Sequence, residues 1–147
     1  MNKPFTFLAA LALAASLSAA PASAQIFSRA INRAVVTQHG NDNGAAIAQG
    51  GAGNSAGVTQ NGAAQTGVIH QNGYNNSGGL VQNGVGNTAA LTQNGDNNEL
   101  CLVQRGRNLH ADVTQNGGAS GYYYQNNRGV LSLPVGSMII RACSRGG

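Results

Sequence analysis

The segment Gln82-Asn83-Gly84-Val85-Gly86-Asn87-Thr88-Ala89-Ala90-Leu91-Thr92-Gln93 holds one full period of the chain and the start of the next. Gln recurs every 11 residues, at Gln38, Gln49, Gln60, Gln71, Gln82, Gln93, Gln104 and Gln115. Two residues after each stands a glycine: Gly40, Gly51, Gly62, Gly73, Gly84, Gly95, Gly106 and Gly117. Five after it comes Asn43, Asn54, Asn76, Asn87 or Asn98, with Gln65, Leu109 and Ser120 in the remaining units. Seven after it is a small residue in most units (Ala45, Ala56, Gly67, Gly78, Ala89, Ala111), with Leu100 and Tyr122 departing. Nine after it is always bulky: Ile47, Val58, Ile69, Leu80, Leu91, Leu102, Val113 and Tyr124. The chain holds only 11 Gln, so eight in exact step define an internal repeat.

The Asn, small, bulky and Gln columns are spaced two apart, the period of a β-strand, and so share one face. Between them lie Ser, Thr, Gly, Ala and occasional charge, as a wetter face requires. The column glycine supplies a positive φ, so the chain turns there in every unit. A strand this short cannot bury its face alone, but stacked copies can. In a coil, equivalent columns lie about 4.8 Å apart, and the inward Gln and Asn form side-chain amide ladders. The fold expected is all-β, a cross-β solenoid of 11-residue strand-turn units with about two units per coil. By the same alternation Tyr122 and Tyr124 point inward and pack the last coil.

Composition agrees with a stacked architecture. Only 8% of the 147 residues are charged, against about 25% in ordinary domains. A column of like charges at strand spacing would repel itself. With 22 Gly, no Trp, 4 Tyr and 3 Phe, the chain cannot build the large apolar interior of a compact enzyme.

Four segments are expected. Residues 1–24 read as a secretory signal peptide: Lys3, the apolar run from Phe5 to Leu17, then Ala22-Ser23-Ala24, with cleavage before Gln25. Residues 25–33 form an N-terminal lead-in, 34–127 the repeat, and 128–147 a degenerate basic segment with Pro134, Arg141 and Arg145. No later run is long and apolar enough to span a bilayer, so no transmembrane segment remains after cleavage. The mature chain carries seven Arg against four acids, with no basic cluster before its C-terminal segment, which gives no specific nucleic-acid site.

Catalytic chemistry finds no footing. His39, His70 and His110 fall in different columns and do not converge, and Asp42, Asp96, Glu99 and Asp112 are isolated. The chain is therefore read as not an enzyme, with no metal and no cofactor. Two cysteines in an exported chain admit a Cys101–Cys143 disulfide that staples the tail to a repeat unit. The competing reading is a pair of free thiols.

The pattern Gln-x-Gly-x-x-Asn, with Ala two further on and Gln 11 further on, closely resembles the curlin repeat of curli subunits. It stands here as Gln49-Gly51-Asn54-Ala56-Gln60 and as Gln82-Gly84-Asn87-Ala89-Gln93, and it runs from about Ala34 to Asn126. The resemblance implies a secreted bacterial subunit that polymerises outside the cell into amyloid fibres of a biofilm matrix. It implies export through the periplasm and an outer-membrane pore with accessory factors, then folding on a nucleating subunit or a fibre end. Gln38, Asn43, Gln49, Asn54, Gln60, Gln71, Asn76, Gln82, Asn87, Gln93, Asn98, Gln104 and Gln115 would then be the polymerisation ladder. The eight registered units point to the major subunit, and the basic degenerate terminal unit to the minor, nucleating one.

Polymerisation also follows from the stack itself. A solenoid has two open strand edges, which soluble solenoids cap or charge. Val130 to Ile140 offers a candidate cap, whereas at the N-terminal end Asn32, Ala34 and Val36 already occupy the repeat columns. The competing class is a monomeric solenoid that binds a flat surface. For that reading Thr37, Thr59, Thr92 and Thr114 form an outer column, but Ala48, His70, Val81 and Val103 interrupt it.

Overall fold

The computed structural model describes residues 31–133. The segments expected to be a signal peptide and a basic tail therefore lie outside the described residues, apart from the first residues of the latter.

Ten strands follow one another: β1 (Arg33–Asn41), β2 (Gly44–Ala52), β3 (Ser55–Ala63), β4 (Thr66–Tyr74), β5 (Ser77–Val85), β6 (Thr88–Asn94), β7 (Glu99–Arg107), β8 (His110–Asn116), β9 (Ser120–Asn126) and β10 (Gly129–Leu133). No helix occurs among the described residues. Odd strands β1-β3-β5-β7-β9 stack in one sheet, with β10 at its end, and β2-β4-β6-β8 stack in the other. Neighbours from β1 to β8 are parallel and in register 22 residues apart, as in Gln60↔Gln82 and Gln71↔Gln93, and β9 lies parallel to β7 at 21. Each coil therefore takes two repeat units, and the solenoid makes about four turns. Strand alternation decides this geometry. A face bearing both amides and aliphatics every second residue can be buried only against a like face.

The dry strip is built from Ala56, Val58, Ile69, Leu80, Ala89, Leu91, Leu100 and Leu102, all buried. The small column makes the strip possible. A Cβ on Gly67 would lie 2.7 Å from Leu80 Cδ2, and one on Gly78 3.3 Å from Leu91 Cδ2. Each bulky side chain thus enters the space left by a small residue of the facing sheet.

The turns use two left-handed columns where the sequence displayed one. The column glycines have positive φ, from 62° at Gly117 to 150° at Gly106. Two residues further on, Asp42, Gly53, Ala64, Asn75, Gly86, Asn97 and Asn108 also take positive φ. Gly, Asn and Asp tolerate that region, so the preference was visible in the sequence at every position but Ala64.

The last coil departs from the expected alternation. Between Gln115 and Gln125 the spacing shrinks by one, and β9 pairs Gly121 with Leu100, Tyr123 with Leu102 and Gln125 with Gln104. Tyr123 therefore packs on the core, while Tyr122 and Tyr124 align with Cys101 and Val103 on the opposite face of the sheet. The inward placing of Tyr122 and Tyr124 is corrected: a one-residue slip moves every side chain to the other face. β10 then returns antiparallel along β9, with Val130 opposite Gln125 and Ser132 opposite Tyr123.

Candidate functional site

The interior amides form two continuous chains of hydrogen bonds. In the first, Gln38 Nε2 donates to Gln60 Oε1 (2.6 Å), Gln60 to Gln82 (2.8 Å), Gln82 to Gln104 (2.9 Å) and Gln104 to Gln125 (2.9 Å). In the second, Gln49 donates to Gln71 (2.8 Å), Gln71 to Gln93 (2.7 Å) and Gln93 to Gln115 (2.9 Å). The central members, Gln60, Gln71, Gln82, Gln93 and Gln104, are wholly buried. Every bond points the same way along the chain, so the ladder has a polarity.

From Gln49 onward, the second Nε2 proton of each ladder Gln crosses to the facing sheet. Gln60 donates to the Gly44 carbonyl (2.9 Å), Gln82 to that of Thr66 (3.0 Å) and Gln93 to that of Ser77 (3.1 Å). One side chain thus ties its own sheet along the axis and the two sheets across it. A buried amide is tolerated only when its bonds are made, and here the repeat makes them.

The Asn column works differently from a simple side-chain ladder. Asn54 Nδ2 donates to the carbonyls of Gly50 (2.8 Å) and Gly73 (2.9 Å), and its Oδ1 accepts the Asn76 backbone N–H (2.9 Å). Asn87 binds Gly106 O (3.2 Å) and accepts from the Leu109 N–H (3.1 Å) in the same way. Only Asn98 to Asn76 joins two side chains of this column, at 3.0 Å. Asn is short enough to reach the turn of the next coil, so it fastens turn to turn while Gln fastens strand to strand. Asn32 and Asn43 do the same at the N-terminal end.

Gln65 takes the Asn position and still reaches the Asn61 and Gly84 carbonyls at 2.8 and 2.7 Å. Its Oε1, however, is buried with no partner. Leu109 and Ala119 end the two Asn columns, accepting no further coil by side chain. Gln65 and Gln125 also belong to the amide network: Gln65 keeps the step of the Asn column with the longer amide, whereas Gln125 falls one residue short of the Gln step.

Both ladders begin at open edges and the second also ends at one, whereas the first ends on β9 under β10. Among the described residues β1 and β2 have no strand on their N-terminal side and β8 has none on its C-terminal side. Gln38 Oε1 receives no donor there, and Gln115 Nε2 bonds only the Glu99 carbonyl (3.2 Å). The arrangement is that of a template whose two ends carry complementary halves of one bond.

Residues 32–62 match the family model of the curlin associated repeat. The chain carries a curlin associated repeat over that span. The matched span covers β1, β2 and most of β3, and the same columns recur through β8. No curated protein and no solved structure matches the curlin-repeat chain. The curlin repeat and the stacked Gln and Asn together suggest a curli-like amyloid subunit.

The remaining candidates do not come together. His39 lies on β1, His70 on β4 and His110 on β8, and no group of three metal-binding side chains exists among the described residues. Of the Thr column, Thr37 and Thr59 lie on one sheet and Thr92 and Thr114 on the other, so they do not form one array. No helix among the described residues is long and apolar enough to cross a membrane. Cys101 is fully buried and disulfide-bonded, and Cys143 lies outside the described residues.

Proposed function

We propose that this curlin-repeat chain is the bulk-forming subunit of an extracellular, curli-type amyloid fibre that grows by self-templated addition of identical copies. The supporting observation is the pair of polar ladders that end unfinished, with an acceptor at Gln38 and a donor at Gln115. A head-to-tail join continues both backbone pairing and ladder, and it never closes on itself. Export through the periplasm and an outer-membrane pore, a nucleating partner subunit, and a role in surface adhesion and biofilm matrix belong to this reading through the family. The disulfide partner of Cys101 is proposed to be Cys143, the other cysteine of the chain.

Thioflavin T fluorescence over time on the mature chain, with electron microscopy at the end point, tests this. A lag removed by preformed fibres supports a self-templating subunit. Growth without a lag assigns the nucleating role instead, which the ending of the Asn columns at Leu109 and Ala119 favours. A stable, dye-silent monomer contradicts fibre formation and returns the surface-binding solenoid.

A further inference from the structure

The two sheets are unequal at the C-terminal end. One holds six strands and the other four. Nine strands follow the parallel repeat, so the position that comes next lies on β8, in the four-stranded sheet. That position is vacant among the described residues. Beside it lies a cavity of about 280 Å³ whose walls include Leu102, Ala111, Val113, Tyr123, Gln125 and Val130. Ala111 and Val113 are the small and bulky columns, which in every earlier coil pack against the strand 22 residues on.

The position after that lies on β9, and β10 already holds it. β10 is a poor continuation of the stack. It has five residues where β2 has nine, it runs antiparallel, and it sets Val130 opposite Gln125 and Ser132 opposite Tyr123. Gln125 Nε2 consequently finds only the His110 carbonyl (3.1 Å) and no further Gln.

Resting on the fibre reading above, we propose that this end is a two-step socket for a second copy, with β10 as its latch. The second copy's β1 docks first on β8, where Ala34, Val36 and Gln38 fall on Ala111, Val113 and Gln115. Gln115 Nε2 then donates to Gln38 Oε1, in the direction every internal ladder bond runs. The second copy's β2 follows on β9 and displaces β10, placing Gln49 Oε1 where Gln125 Nε2 can reach it. Because nine units make an odd number of half-coils, the incoming six-stranded sheet continues the four-stranded one. Successive subunits are therefore turned by half a coil about the fibre axis. Displacement exchanges five antiparallel pairs without a ladder bond for a nine-residue parallel strand with one, so the latch slows joining without preventing it.

Two measurements on the full mature chain decide it. Leu131→Pro removes a residue of β10 that pairs with Tyr124 and points away from the core columns. It should make elongation from wild-type seeds several-fold faster. Unchanged or slower elongation overturns the latch. Fibres grown from a one-to-one mixture of ¹⁵N- and ¹³C-labelled chains should then show a solid-state NMR contact between Gln115 Nε2 and Gln38 of another copy. A contact from Gln125 Nε2 to Gln38 of another copy instead, or fibres in which Gln115 Nε2 shows no contact with Gln38 of another copy, overturns the half-coil join while leaving the fibre reading intact. Failure to form any fibre removes both.

Discussion

Gln82 Nε2 donates to Gln104 Oε1 at 2.9 Å across 22 residues of chain, with both side chains wholly buried. The bond is one rung of a ladder that fixes the register of every coil, because an amide out of step would be buried without its partners. Burying an unpaired amide costs about 1–3 kcal/mol, more than a made bond contributes. The ladder therefore specifies this one stacking more strongly than it stabilises it.

Gln82→Leu should strand Gln104 Oε1 and leave the Thr66 carbonyl without its side-chain donor, while Gln60 keeps its bond to Gly44. A loss of about 1–3 kcal/mol is expected, read as a lower guanidinium midpoint of the assembled fibre. A midpoint equal to that of the unsubstituted chain would show that the rung contributes nothing.

Gln65→Asn should stabilise the fold. In the same column Asn54 Oδ1 accepts the Asn76 N–H, whereas Gln65 Oε1 has no partner. Relieving that orphan is worth about 1–3 kcal/mol. The methylene given up costs about 0.8 kcal/mol, so the net gain is positive and the denaturation midpoint should rise.

Glycines of the two kinds should respond oppositely. A Cβ on Gly84, at φ 134°, would strike the Gly106 carbonyl of the next coil, whereas one on Gly57 meets nothing within 4 Å. Gly84→Ala should cost about 1–3 kcal/mol from backbone strain alone and prevent ordered stacking. Gly57→Ala should change stability by less than about 1 kcal/mol. Equal denaturation midpoints for the two variants would contradict the turn assignment.

Much of this could be read from the chain before any coordinates, because the period states which residues recur and strand alternation states which of them share a face. Two strands per coil followed from the need of one buried face for another. The partners of Asn did not follow: whether an amide reaches a side chain or a turn carbonyl depends on the turn's path, which periodicity leaves open. The turning of Tyr122 and Tyr124 to the opposite face was hidden for a related reason. Gln115 to Gln125 is one residue short, and the sequence does not say whether the slack is absorbed in the turn or in the strand. The structure absorbs it in the turn, so Gln125 keeps its rung and Tyr123 goes inward. β10 carries no repeat signature, and its antiparallel return was not legible at all.

Gln93→Glu introduces a carboxyl between Gln71 and Gln115, at a position with no exposed surface. Burial raises the folded-state pKa of that carboxyl above its unfolded value of about 4.3. The neutral acid is then the form the fold accepts, so stability is greatest below the unfolded pKa and declines as pH rises through the folded one. Fibre formation by Gln93→Glu should recover on acidification, followed by thioflavin T across a pH series. Growth independent of pH would contradict burial of this column in the fibre.

The most direct test compares two neighbours on opposite faces of β6. Gln93 belongs to the buried ladder, and Thr92 faces outward. Elongation of wild-type seeds at neutral pH should be abolished or greatly slowed for Gln93→Glu and stay near the wild-type rate for Thr92→Glu. Equal rates for the two variants would contradict growth through the interior amide ladders.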